Sequence, residues 1–133
     1  MALLDYFKKP VKHYMGQTQC QCGCGLDMSP EGVRMVGQVA DYLFAKYGIT
    51  SKLNSGARCR KHNAAVGGAP GSMHPLGLAA DWAIAYGIDR YRLVQAAIDL
   101  KIPRLTLYAA KAEVHMDIGG KVQGAQSPDL VVL

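Results

Sequence analysis

Long apolar runs are missing from this 133-residue sequence. A helix that crosses a bilayer needs about 18 or more consecutive apolar residues, so no membrane span is expected. Aromatic residues are scarce, at 8% with a single tryptophan, and none is interleaved with a basic stripe. Nucleic-acid binding is therefore not expected. Met1 to Lys9 lacks the basic-then-apolar layout of a signal peptide, and the expectation is synthesis in the cytoplasm. The 15 glycines follow no repeat. Acids are outnumbered, 10 against 15 bases, and the net charge of +5 suits an anionic partner. One domain over residues 1–133, expected as a monomer, has length enough for a real core.

What is present reads as an α+β chain. Residues 1–28 read as an irregular arm, since Pro10 breaks any early helix and the Gln/Cys/Gly-rich stretch favours turns. Ser29-Pro30-Glu31 supplies an N-cap, a first-turn proline and a first-turn acid. Val33, Val36, Ala40, Leu43 and Tyr47 recur at helical spacing until Gly48 stops the helix. A strand over 49–54, a short helix over 60–66 and a buried strand over 78–85 follow. Asp89 is placed to cap a helix through about Leu100, with Leu93, Val94, Ala97 and Ile98 inward. The strands over 104–108 and 113–118 are close enough to pair as a hairpin, and 121–133 reads as a tail.

The cysteines are oddly spaced. Cys20, Cys22 and Cys24 alternate with Gln21 and Gly23, and Cys59 stands alone after Arg58. Zinc fingers usually place two or more residues between paired thiols. Three readings stand: buried free thiols, the default in a reducing cytoplasm, a disulfide involving Cys59, or a four-thiolate structural metal site.

The chemistry concentrates in Gly71 to Trp82. His74 lies in a Gly/Pro-rich loop, and Asp81 lies inside an apolar run, where a bare carboxylate would cost several kcal/mol. Gly77 permits the turn that folds one back onto the other, and Ala79, Ala83 and Ala85 leave room beside Asp81. Glu113-Val114-His115-Met116-Asp117-Ile118 alternates polar and apolar, so Glu113, His115 and Asp117 share a face. His74, Asp81 and His115 are thus a candidate ligand set, and three protein ligands with one open position describe a catalytic zinc site. Mixed nitrogen and oxygen donors suit zinc without excluding other divalent metals. Glu113, roughly 6–7 Å from His115 along the strand, is placed as a base rather than a ligand. Asp117 is the alternative base, or the group that orients His115.

These residues carry a resemblance. Ser72-x-His74-x-x-Gly77-x-Ala79-x-Asp81, followed by His115, resembles the signature of the zinc D-Ala-D-Ala carboxypeptidases and phage L-Ala-D-Glu endopeptidases, and more distantly that of the hedgehog signalling domain. Ser55-Gly56-Ala57-Arg58-Cys59, His62-Asn63 and Val66-Gly67-Gly68-Ala69 are similar to the preceding segment in phage-type members, and Cys22-Gly23-Cys24-Gly25 to a run near their start. The match runs from about Cys20 to Ile118. It implies a small, mostly antiparallel sheet packed against helices, and a zinc peptidase acting on peptidoglycan stem peptides. Many members place the catalytic acid three residues before the last histidine. Ala112 stands there, leaving Glu113 as the acid just before His115. Arg58 is the candidate for gripping a carbonyl oxygen or substrate carboxylate, its alternative being a surface charge. Ser72 either binds substrate backbone or braces the His74 loop, while His62 reads as structural or cleft-lining. Action at the cell wall, after release or as a phage-particle component, is the corresponding expectation. The alternative is an inactive zinc-containing wall-binding or phage structural module.

Overall fold

The computed structural model describes residues 12–84, 87–119 and 129–132. Its centre is a six-stranded mixed sheet packed against helices, an α+β architecture. The strands are β1 (Tyr14–Met15), β2 (Ser51–Ser55), β3 (Ala79–Ala83), β4 (Arg104–Leu107), β5 (Glu113–Asp117) and β6 (Asp129–Val132). They lie in the order β1-β2-β3-β5-β4-β6. The four central strands pair antiparallel, and β1 and β6 add parallel edges. The helices are α1 (Pro30–Tyr47), α2 (Arg60–Ala65) and α3 (Ile88–Asp99), with a 3₁₀ turn at His74–Leu76. Among the described residues no helix is long and apolar enough to cross a membrane.

Helix α1 begins where its cap chemistry places it. The Ser29 hydroxyl accepts from the Gly32 N–H, Pro30 occupies the first turn, and Gly48 closes the helix at φ 68°. Its inward stripe is Met35, Val36, Val39, Ala40 and Leu43. Val33, expected inside, is 40% exposed because Gly32 takes the close approach at that end. Gly87, rather than Asp89, is the N-cap of α3, and Asp89 sits in its first turn. Leu93, Ala96 and Ala97 face inward, and Ile98, expected inside, is 60% exposed. Between helices and sheet lie Trp82, Val114 and Met116, fully buried. Their opposite-facing neighbours Asp81, Glu113 and His115 are thereby turned to the other face.

Two segments without a clear period contribute to the sheet. Tyr14–Met15, in the stretch read as an irregular arm, pair with Ser51 and Lys52. Asp129–Val132, in the stretch read as a tail, run alongside β4 from Arg104↔Asp129 to Leu107↔Val132. Both are short, non-local, parallel pairings, for which local periodicity carries little signal. Residues 1–11 of the expected arm, Ala85 of the expected buried strand, and 121–128 and 133 of the expected tail lie outside the described residues.

Candidate metal centre

Sheet register builds the centre. Asp81 on β3 stands directly opposite His115 on β5, and opposed residues on neighbouring strands hold their Cβ atoms about 5 Å apart. The side chains meet there, with His115 Nδ1 at 2.9 Å from Asp81 Oδ1. His74 arrives from the 3₁₀ turn, which Gly77 ends in the left-handed conformation at φ 71°. The N–H and hydroxyl of Ser29 both donate to the Gly77 carbonyl at 3.1 Å, fastening this turn to the start of α1. His74 Nε2 then lies 3.1 Å from Asp81 Oδ2.

Each imidazole is oriented from behind. His74 Nδ1 donates to the Gly56 carbonyl at 2.7 Å, which leaves Nε2 with its lone pair toward Asp81. His115 Nε2 is 2.9 Å from Asp117 Oδ2, while the other Asp117 oxygen accepts from the Gly119 N–H. Burial works to lower the His115 pKa, but the bonds to Asp117 and Asp81 outweigh it and push it up to about 9. Burial likewise opposes ionisation of Asp81, yet the bond from His115 holds its carboxyl well below the usual carboxylate range. The donor atoms of His74, Asp81 and His115 all lie within 4.8 Å of one another. The buried His74 Nε2 has no hydrogen-bond partner despite its closeness to Asp81. A cation shared by the three donors satisfies that atom, and two imidazole nitrogens with a carboxylate are a zinc-type set.

The other sequence candidates gather around it. Glu113 lines the same cleft, a cavity of about 550 Å³, together with Arg58, His62, Ser72 and Asp117. Burial, and then the Asp81 charge, raise the Glu113 pKa. Arg58 is not the surface charge its alternative reading allowed. Its side chain is 13% exposed, Nη2 donates to Asp81 Oδ2 at 3.2 Å, and Nε is buried without a partner. The Ser72 hydroxyl accepts from the His74 N–H at 3.2 Å, a brace on the histidine loop.

Asn54 and Gly56 escaped the sequence reading. Two residues of β2, Asn54 and Ser55, follow Leu53↔Trp82 where β3 has only Asp81, so Asn54 is the extra residue of a bulge. Its amide donates to Glu113 Oε1 at 3.5 Å. A Cβ on Gly56 would stand 2.6 Å from the Thr18 carbonyl, so only glycine lets the chain pass while presenting its own carbonyl to His74. Ser55-Gly56 signalled a turn, but nothing in its composition signals a histidine anchor.

A sheet face that carries Asp81, Glu113 and His115, with His74 brought in by the 3₁₀ turn, gives an α+β fold with a zinc-type donor group in an open cleft. Residues 12–117 match the family described as Peptidase M15, and the chain belongs to that family. It is accordingly a zinc-dependent peptidase with His74, Asp81 and His115 as the group able to bind the metal. No curated protein matches the chain.

Proposed function

We propose that this peptidase cleaves the stem peptides of peptidoglycan, as a D-Ala-D-Ala carboxypeptidase or an L-Ala-D-Glu endopeptidase. The observation that carries the reading is the cleft itself, in which Glu113 and Arg58 flank the His74/Asp81/His115 group. Zinc held there supplies Lewis-acid chemistry, acidifying water and polarising a carbonyl. Glu113 accepts the proton from the attacking water on a carboxylate oxygen and returns it to the leaving amine. The Asn54 amide holds one Glu113 oxygen, which leaves the other for the proton. Arg58, which lines the cleft, binds the scissile carbonyl oxygen or a substrate carboxylate through its guanidinium. Short peptides with free carboxylates are the substrates that such a cation selects. The place of action is the wall, reached after release or within a phage particle.

The test is Glu113→Gln, which preserves size and lies outside the ligand group. Zinc content and folding should match the wild type, while cleavage of purified sacculi falls by about 10²–10⁴-fold. Mass spectrometry of the fragments identifies the bond: free D-Ala marks the carboxypeptidase, and a new N-terminal D-Glu marks the endopeptidase. Near-wild-type turnover in Glu113→Gln would remove Glu113 from the mechanism. A zinc-loaded wild type that cuts neither bond would favour the wall-binding module, to which Ala112 in the usual acid position already points.

A further inference from the structure

The peptidase centre makes no use of the cysteines, yet the fold brings all four together. Cys20, Cys22 and Cys24 come from the turn ahead of α1, and Cys59 comes from the N-cap of α2. Their sulfurs all lie within 4.8 Å of one another, with Cys20–Cys22 at 3.3 Å and Cys22–Cys59 at 3.6 Å. None is in a disulfide. Around one zinc at a Zn–S distance of about 2.3 Å, tetrahedral geometry spaces the sulfurs about 3.8 Å apart, within the spread seen here.

We propose that Cys20, Cys22, Cys24 and Cys59 hold one structural zinc ion, separate from the peptidase metal, that fastens the residue 20–24 turn to the loop carrying Arg58. Alternate residues of a straight strand stand roughly 6–7 Å apart, too far for one ion. Gly23 and Gly25, at φ 83° and 88°, curl the chain between and after the thiols, and the Gly23 N–H donates to the Cys20 carbonyl. The N–H of Cys59 points at Cys20 Sγ (3.4 Å) and that of His62 at Cys59 Sγ (3.3 Å), the backbone donors that thiolate ligands require. Only Cys20 is buried, while Cys22 and Cys24 are exposed, so the thiols are not simply core residues. Four soft sulfur donors without oxygen or nitrogen select zinc or iron in tetrahedral geometry, and the absence of redox chemistry in this peptidase favours zinc. Binding displaces the thiol protons and leaves four thiolates on the ion.

The site braces the peptidase cleft at two points. The Gln21 amide donates to the Asn54 carbonyl, and the Ala57 N–H donates to the Thr18 carbonyl at 2.8 Å. Asn54 holds Glu113, Gly56 holds His74, and Arg58 follows at once. Metal analysis of the purified full chain should find two zinc ions in the wild type. It should find one in His115→Ala and one in the Cys22→Ser/Cys24→Ser variant, whose melting temperature falls. Cobalt substitution of His115→Ala gives a second readout that needs no cysteine variant, a sulfur-to-metal charge-transfer band. The assignment is overturned by a single zinc that vanishes in His115→Ala, by iron or copper alone, or by an intact mass showing a disulfide. Cobalt-loaded His115→Ala without the sulfur band overturns it equally. None of these outcomes depends on which peptide bond the enzyme cuts.

Discussion

Asp81 is surrounded by cations and potential cations: Arg58 Nη2 at 3.2 Å and His74 Nε2 at 3.1 Å on one oxygen, His115 Nδ1 at 2.9 Å on the other. A carboxylate so placed is ionised, and with His74 and His115 it would hold a metal ion. Asp117 works on the same histidine from the opposite edge, and although it borders the cleft it is 2% exposed, with its two oxygens engaged by His115 and the Gly119 N–H. Those contacts suit an orienting group, and Glu113, half-buried and on the cleft, is the base we propose. Asp117→Asn should therefore weaken zinc binding by about 10–100-fold, the usual effect of losing such a carboxylate. Competition with a chelator measures it. Unchanged zinc affinity together with a collapse of turnover would exchange the roles of Asp117 and Glu113.

At the scale of elements, one glycine joins helix to ligand. Gly77 ends the His74 turn at φ 71°, and a Cβ there would stand 2.5 Å from the Ser29 backbone nitrogen. Left-handed backbone costs a residue with a Cβ about 1–2 kcal/mol, and this clash is with backbone that cannot rotate away. Gly77→Ala should destabilise the protein by at least about that amount and also weaken zinc binding, because His74 moves with the turn. Urea unfolding with and without zinc checks both, and an unchanged midpoint would contradict the turn geometry.

The same scale shows what the sequence could disclose. Ser29-Pro30 and Gly48 bound α1 because caps are local chemistry. The alternation from Glu113 to Asp117 gave the correct face for His115 because strand period is local too. The Asn54 bulge, the Gly56 carbonyl and strand β6 depend on partners distant in sequence, and no window of the chain contains both halves. The approach of Cys59 to Cys20–Cys24 was hidden for the same reason, since it depends on two left-handed glycines and on a residue distant in sequence.

Over the whole molecule, bases exceed acids by a net +5. Asp81 and Asp117 are buried and paired at the metal centre, so they do little to offset that surplus at the surface. A positive exterior raises the rate of encounter with an anionic polymer by about 10-fold or more, but it does nothing for a small peptide already in the cleft. The two contributions separate with salt. The screening length shrinks from about 30 Å at 0.01 M to about 3 Å at 1 M, and steering disappears over that range. Digestion of insoluble sacculi should therefore slow by about 10-fold between these extremes. Turnover of a short soluble stem peptide at saturating concentration should stay within about twofold, because the buried Asp81–His115 contacts are poorly screened. Measuring both substrates across the same salt series distinguishes surface steering from damage to the centre. Equal slowing of the two would place the salt effect in the cleft, and no slowing of either would reduce the net charge to a determinant of solubility.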